Sequence, residues 1–233
     1  VKKILAGRNA HKTFLTACAL LDIEIVWLYG DSSYLSCSFD ELTLQQKIEK
    51  ENPDAVYITS PDYLGLMADI SAISKVCKKN GKLLIVDNAH GAYLKFLQPT
   101  LHPIDLGAQM CCDSAHKTLP CLTGGAYLHI KDDDIAKEAK GALSLFGSTS
   151  PSYLILQSLD QCNAYLSDGY AEKLAAVVEK LDVVRTFLRK QGWEIMDSDP
   201  LKLTVFTGKM GYTGQEVAEV LRKNNVECEF ADL

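Results

Sequence analysis

The run Lys82-Leu83-Leu84-Ile85-Val86, followed at once by Asp87-Asn88-Ala89-His90-Gly91, decides how this chain folds. Five residues, four of them apolar, suit a strand and are too few for a helix, and the polar cluster marks where the strand runs out. Immediately upstream, residues 68–80 read as an amphipathic helix that Gly81 ends, glycine being suited to a helix C-terminus. Before that helix, residues 55–59 form another short apolar run. Strand, helix, strand in that order is a β-α-β unit, whose two strands lie parallel. The pattern continues outward, with strands expected at 3–6, 24–28, 109–112 and 125–130, and helices at 11–21 and at 42–51 before Pro53. The expected fold class is α/β, a mainly parallel sheet sandwiched by helices.

From 151 to about 191 the pattern is helical and long, and Gly192 stops it. Beyond lie strands expected at 193–196 and 201–206, a helix at 213–224 and a strand at 226–230. This divides the chain into a large α/β domain at 1–150, a connecting helical segment at 151–191 and part of a smaller α+β domain at 192–233. No internal repeat or low-complexity segment interrupts the pattern.

Composition agrees with a globular core. Of 233 residues, 47% are hydrophobic and 23% charged, which argues against a disordered or fibrous chain. The formal net charge of −6 leaves no basic footprint for nucleic acid and mildly favours a cationic small substrate. Cysteines 18, 37, 77, 111, 112, 121, 162 and 228 form no C-x-x-C pair, so reduced thiols in a cytoplasmic protein are expected and a zinc site is not. The longest apolar runs fall short of a bilayer's thickness, so no membrane partner is expected.

Chemistry gathers where strands end, which is where open α/β sheets place their ligands. The strand at 82–86 delivers Asp87, Ala89 and His90, and the strand at 109–112 delivers Ser114, His116 and Lys117. A lysine at a strand end is ordinarily a solvated surface residue. Lys117, however, stands between a Ser-x-His triplet and the run 118–122, an odd setting for a surface lysine. Pyridoxal 5'-phosphate (PLP) chemistry requires a partly shielded amine to form an imine, and a carboxylate that keeps the pyridine nitrogen protonated. Lys117 and Asp87 are the candidates, although an aspartate in this place also suits a helix cap. His11 opens the first helix, either as a cap or as an imidazole stacked on the ring, while small Ala89 admits the opposite face. Ser114 and His116 are placed to donate to phosphate oxygens. Ser148 and Ser150, before Pro151, read equally well as a turn.

These motifs resemble the Orn/Lys/Arg decarboxylase major-domain family, a branch of the PLP-dependent fold type I enzymes built like aspartate aminotransferase. The likeness rests on Asp87-x-Ala89-His90-Gly91 and on Ser114-Ala115-His116-Lys117-Thr118-Leu119-Pro120-x-Leu122-Thr123. It extends to Arg8-Asn9-x-His11-Lys12, Thr149-Ser150-Pro151-Ser152-Tyr153, Ser158-Leu159-Asp160 and Asp199-Pro200-Leu201-Lys202-Leu203-Thr204. The resemblance implies that Lys117 carries PLP as a Schiff base, Asp87 binds the pyridine nitrogen, His11 stacks on the ring, and Ser114 and His116 contact the phosphate. It implies decarboxylation of ornithine, lysine or arginine, and a homodimer or larger homo-oligomer in which Ser148 and Ser150 reach a neighbour's phosphate.

The chain departs from the family in starting after the Gly/Ser/Thr-rich strand-turn-helix that cradles the phosphate, and in stopping early. The expectation is therefore a protein truncated at both ends that binds PLP weakly and self-associates. Three alternatives stay open: another fold type I enzyme such as an aminotransferase or lyase, a truncated non-catalytic relative, and a plain nucleotide-binding domain. The last lacks the G-x-G-x-x-G expected after its first strand.

Overall fold

The computed structural model describes residues 1–30, 37–196 and 198–232. Their order is β1 (Lys3–Gly7), α1 (Lys12–Leu20), β2 (Glu24–Leu28), α2 (Glu41–Glu51), β3 (Ala55–Thr59), α3 (Ile70–Lys79), β4 (Leu83–Asp87), β5 (Met110–Asp113), α4 (Ala115–Thr118), β6 (Tyr127–Ile130), α5 (Asp133–Phe146), α6 (Tyr153–Leu166), α7 (Tyr170–Lys190), β7 (Glu194–Ile195), β8 (Val205–Phe206) and α8 (Gly214–Lys223). Short 3-10 turns cover Ala92–Phe96 and Gly208–Met210. The main sheet runs β2-β1-β3-β4-β5-β6, parallel throughout except for β6, which returns antiparallel to β5. A separate antiparallel pair joins β7 to β8.

Alternation along the strands sorts the core into two faces. Leu5, Val56, Ile58, Leu84, Val86 and Cys111 pack with Leu44 and Ile48 of α2 and Ile73, Val76 and Cys77 of α3. Ile4, Ala6 and Ala55 face the other way, onto Phe14 and Cys18 of α1. Leu5, Val56, Leu84 and Val86 are fully buried, and removing a side chain of that kind from water is worth about 1.5–3 kcal/mol. Two-faced burial is what helices on both sides of a parallel sheet require, and it explains the uninterrupted apolar strands. A third cluster, with Tyr93, Leu94, Ala115, Leu119, Cys162 and Leu174, seats α4 against α6 and α7.

Local chemistry fixes the helix ends. Asp40 caps α2 by accepting from Thr43 N at 2.7 Å, and Asp69 caps α3 by accepting from Ala72 N at 2.9 Å. Gly81 leaves α3 at φ +64°, a left-handed conformation that a side chain would strain.

Three elements differ from the sequence pattern. The helical segment 151–191 is two helices, α6 and α7, divided at Gly169 with φ +66°. Helix α5 escapes a reading from burial because none of its residues is buried, and Leu143, Leu145 and Phe146 stay exposed. Residues 226–230 form no strand, since β7 and β8 pair with each other and with no third strand among the described residues. No helix among these residues is long and apolar enough to cross a membrane.

Candidate active site

Parallel pairing sets Asp87, the last residue of β4, level with Cys112 of β5, so both strands open toward the same edge. Asp87 is buried, and its carboxylate is held from both sides. The Tyr57 hydroxyl donates to Oδ2 at 2.9 Å, while Ala89 N donates to Oδ1 at 3.1 Å and the Cys112 thiol approaches Oδ1 at 3.8 Å. Tyr57 comes from β3, two residues before Thr59, which stands beside Asp87 in the register. Its ring stacks on Phe14 at 4.0 Å and 21°, which fixes where the hydroxyl points. Burial, then the Asp87 charge, push the Tyr57 hydroxyl far above its ordinary value, so it stays protonated and donates to Asp87. Asp87 is thus both a turn cap, through Ala89 N, and a carboxylate presented at the strand end.

The turn after β4 brings His90 to Lys117, whose Nζ lies 3.3 Å from His90 Nε2. Burial foremost, then the charges of Lys202 and Lys117, lower His90 to about 4. A neutral imidazole accepts at the nitrogen that lacks hydrogen, so Nε2 takes a hydrogen bond from the Lys117 ammonium. The charges of Asp87 and His11 also act on His90, the first raising and the second lowering its pKa. Tyr63 meets that ring edge-on at 5.7 Å.

Lys202 belongs to this neighbourhood although nothing in the spacing of the sequence places it there. Its Nζ donates to the carbonyls of Asp62 at 2.7 Å and Tyr63 at 2.8 Å, and burial holds its pKa below the ordinary value. Arg185 of α7 carries the segment that bears it. Its guanidinium is buried and donates to the carbonyls of Asp199 at 3.0 Å, Pro200 at 2.8 Å and Lys202 at 2.7 Å. Tyr93 adds a short hydrogen bond to the Asp199 carboxylate.

The remaining expected residues lie as follows. His11 caps α1, its Nδ1 accepting from Thr13 N at 3.2 Å. His116 is tied by Nδ1 to the Gly125 carbonyl at 2.9 Å. A carbonyl only accepts, so Nδ1 carries a hydrogen. Ser114 precedes α4 without bonding its hydroxyl to the helix, and Ala89 is partly exposed. Ser148 and Ser150 are exposed and bond to each other, Ser150 N to Ser148 Oγ at 3.1 Å. Their described contacts do not link them to Asp87, His90 or Lys117. Tyr57, Tyr63 and Lys202 are the site residues that sequence reasoning missed. Tyr57 shares the strand face of Thr59, a signal that becomes usable only once β3 is known to pair with β4.

Residues 1–196 match the Orn/Lys/Arg decarboxylase major domain. The chain belongs to that family. Its relatives include YaaO, an uncharacterized protein of Bacillus subtilis strain 168, 32% identical over 98% of this chain and 51% of its own length. The arginine decarboxylase of the same organism is 28% identical over 99% of this chain and 51% of its own length. The chain therefore spans about half the length of the curated relatives it matches. Among solved structures, the alanine–glyoxylate aminotransferase of a Nostoc species superimposes with a TM-score of 0.71 at 15% identity, covering 97% of this chain and 65% of that one. An apo cysteine desulfurase from Thermococcus onnurineus NA1 gives 0.70 at 17% identity, covering 97% and 61%. These two likenesses show the fold, a mostly parallel sheet flanked by helices.

Proposed function

We propose that this member of the decarboxylase family acts with PLP to remove the carboxylate of a basic amino acid, ornithine, lysine or arginine, with Lys117 as the cofactor-bearing residue. The observation that carries the reading is the hydrogen bond between Lys117 and His90, which lies in the turn that follows Asp87 at the C-terminal edge of β4 and β5.

The donor set fits the cofactor. An amine for its aldehyde and a buried carboxylate for its ring nitrogen stand at one sheet edge. Along that edge Thr59 Oγ1, Asp62 Oδ2 and Thr118 Oγ1 are buried polar atoms without a hydrogen-bond partner among the described residues, which is unfavourable unless a polar group meets them. Lys117 would hold the cofactor covalently and Asp87 would pair with its ring nitrogen. His11, Ala89 and His90 would flank the ring, and Ser114 and His116 would meet the phosphate. When bound, PLP supplies an electron sink for the bond broken at the substrate's α-carbon.

The chain's own residues do the rest. Neutral His90 orients Lys117 Nζ by accepting its hydrogen bond, and Tyr57 with Ala89 N holds the Asp87 carboxylate in place. His116, anchored through Nδ1, offers Nε2 as the atom that takes or returns a proton. A second copy of the chain completes the site through Ser148 and Ser150. Supporting this, the adjoining Leu145, Phe146, Tyr153 and Leu154 are 79%, 67%, 85% and 69% exposed, an apolar surface that association would cover.

The test is an absorbance spectrum of the purified protein with PLP, before and after borohydride reduction, together with carbon dioxide release from carboxyl-labelled ornithine, lysine and arginine. A protein-bound imine band and release from one of the three support the reading. An imine band with transamination or elimination products and no carbon dioxide overturns it.

A further inference from the structure

The opposite face of the same strands carries a second polar cluster that the proposed reaction does not use. Alternation along β5 turns Cys112 toward Asp87, and Cys111 and Asp113 away from it, onto the face packed by α2 and α3. Register places His129 of β6 directly across from Cys111, and the segment before β5 brings in His102. His102 Nε2 and His129 Nε2 lie 3.1 and 2.9 Å from the same oxygen, Asp113 Oδ2. Cys111 Sγ is 3.7 Å from His102 Nε2 and 3.9 Å from Asp113 Oδ1.

We propose that His102, Cys111 and Asp113, joined by His129, form a binding site for a divalent transition metal of the zinc class. Nitrogen, thiolate and carboxylate donors in this mixture suit a borderline-soft ion, whereas calcium and magnesium take oxygen. With zinc–nitrogen and zinc–oxygen bonds of about 2.0–2.2 Å and a zinc–sulfur bond of about 2.3 Å, tetrahedral ligand atoms stand roughly 3.3–3.6 Å apart. One ligand atom each from His102, Cys111 and Asp113 lie within 4.8 Å of one another, so modest side-chain shifts bring them to that spacing. The two imidazole rings are 5.1 Å apart at 83°, and both Nε2 atoms meet the same oxygen, Asp113 Oδ2.

The surroundings are those of a structural site. Asn88 Nδ2 donates to Asp113 Oδ1 at 2.7 Å, orienting the carboxylate so that Oδ2 faces the imidazoles. His102 Nε2 donates to the Asp113 carboxylate, and Nδ1 is buried without a partner among the described residues, so the ring hydrogen must move to Nδ1 for the Nε2 lone pair to meet an ion. Asp113 and His102 side chains are each 4% exposed, while His129 at 40% leaves an entry path and is the donor free to adjust. Binding replaces the Cys111 thiol proton by the metal and releases it to solvent. The ion would bolt β5, β6 and the segment before β5 together behind the strand end that carries Asp87.

The full chain is stripped with chelator, then titrated with cobalt(II) and, separately, with zinc(II). We expect one equivalent of cobalt to bind with a near-ultraviolet sulfur-to-cobalt band, and zinc to raise the melting temperature. Cys111→Ser should lose the band and the zinc-dependent rise. His129→Gln, at a half-exposed position that folding tolerates, should weaken cobalt binding at least tenfold with an unchanged circular dichroism spectrum. A folded wild-type chain that shows no sulfur-to-cobalt band, or a band that survives Cys111→Ser, overturns the proposal and leaves a hydrogen-bonded network alone.

Discussion

Replacing Asp87 by asparagine tests the centre of the proposed site with almost no change of shape. The carboxylate now receives Tyr57 OH on one oxygen at 2.9 Å and Ala89 N on the other at 3.1 Å. An amide offers one acceptor and one donor, so one of those two groups would face an NH2. A hydrogen bond to a charged partner is worth about 1.5–3 kcal/mol. At about 1.4 kcal/mol per factor of ten, the loss corresponds to roughly 10- to 100-fold in the hold on a protonated ring nitrogen. Asp87→Asn should therefore fold, bind PLP more weakly by that factor in an absorbance titration, and release carbon dioxide more slowly by at least as much. Tyr57→Phe keeps the stack on Phe14 and the negative charge while deleting one donor, so its loss should be the smaller of the two. Near-normal turnover in Asp87→Asn would refute the argument and leave Asp87 as the cap of Ala89 N alone.

Lys117→Ala should abolish the imine band and carbon dioxide release with the fold intact, Lys117 being exposed; a borohydride-fixed pyridoxyl group mapped to another lysine would sink the assignment. His90, lowered from 6.5 to about 4, stays neutral in the folded protein while the unfolded chain protonates, so stability should fall as pH drops from about 6.5 toward 4. His90→Gln should flatten that part of a denaturation-versus-pH curve, and an unchanged slope would contradict the burial described. Arg185→Met removes the donor to three carbonyls at 199, 200 and 202, and should destabilise the protein by about 1–3 kcal/mol in urea denaturation, as leaving buried acceptors unpaired does; a change below about 0.5 kcal/mol, the range of ordinary surface positions, would show that the clamp is dispensable.

Some of this protein is legible in one dimension because its cause is local. A short apolar run cannot hide as a helix, and Gly81 can take a left-handed turn that other residues resist, so the β-α-β units of the large sheet follow from the sequence alone. The strand-end positions of Asp87, which closes β4, and of Lys117, four residues after β5, were legible for the same reason. Pairing and packing decided the rest. Tyr57 joins Asp87 only because β3 lies beside β4, and Lys202 reaches the carbonyls of Asp62 and Tyr63 across 140 and 139 residues of chain. The gathering of His102, Cys111, Asp113 and His129 depends on the antiparallel return of β6 against β5, which no C-x-x-C spacing announces. Helix α5 and the division at Gly169 escaped because unburied apolar residues and a single glycine weakly constrain what a helix does. Periodicity reports which face of an element is apolar, whereas contacts between elements depend on register and crossover, and those are set by how whole surfaces fit together.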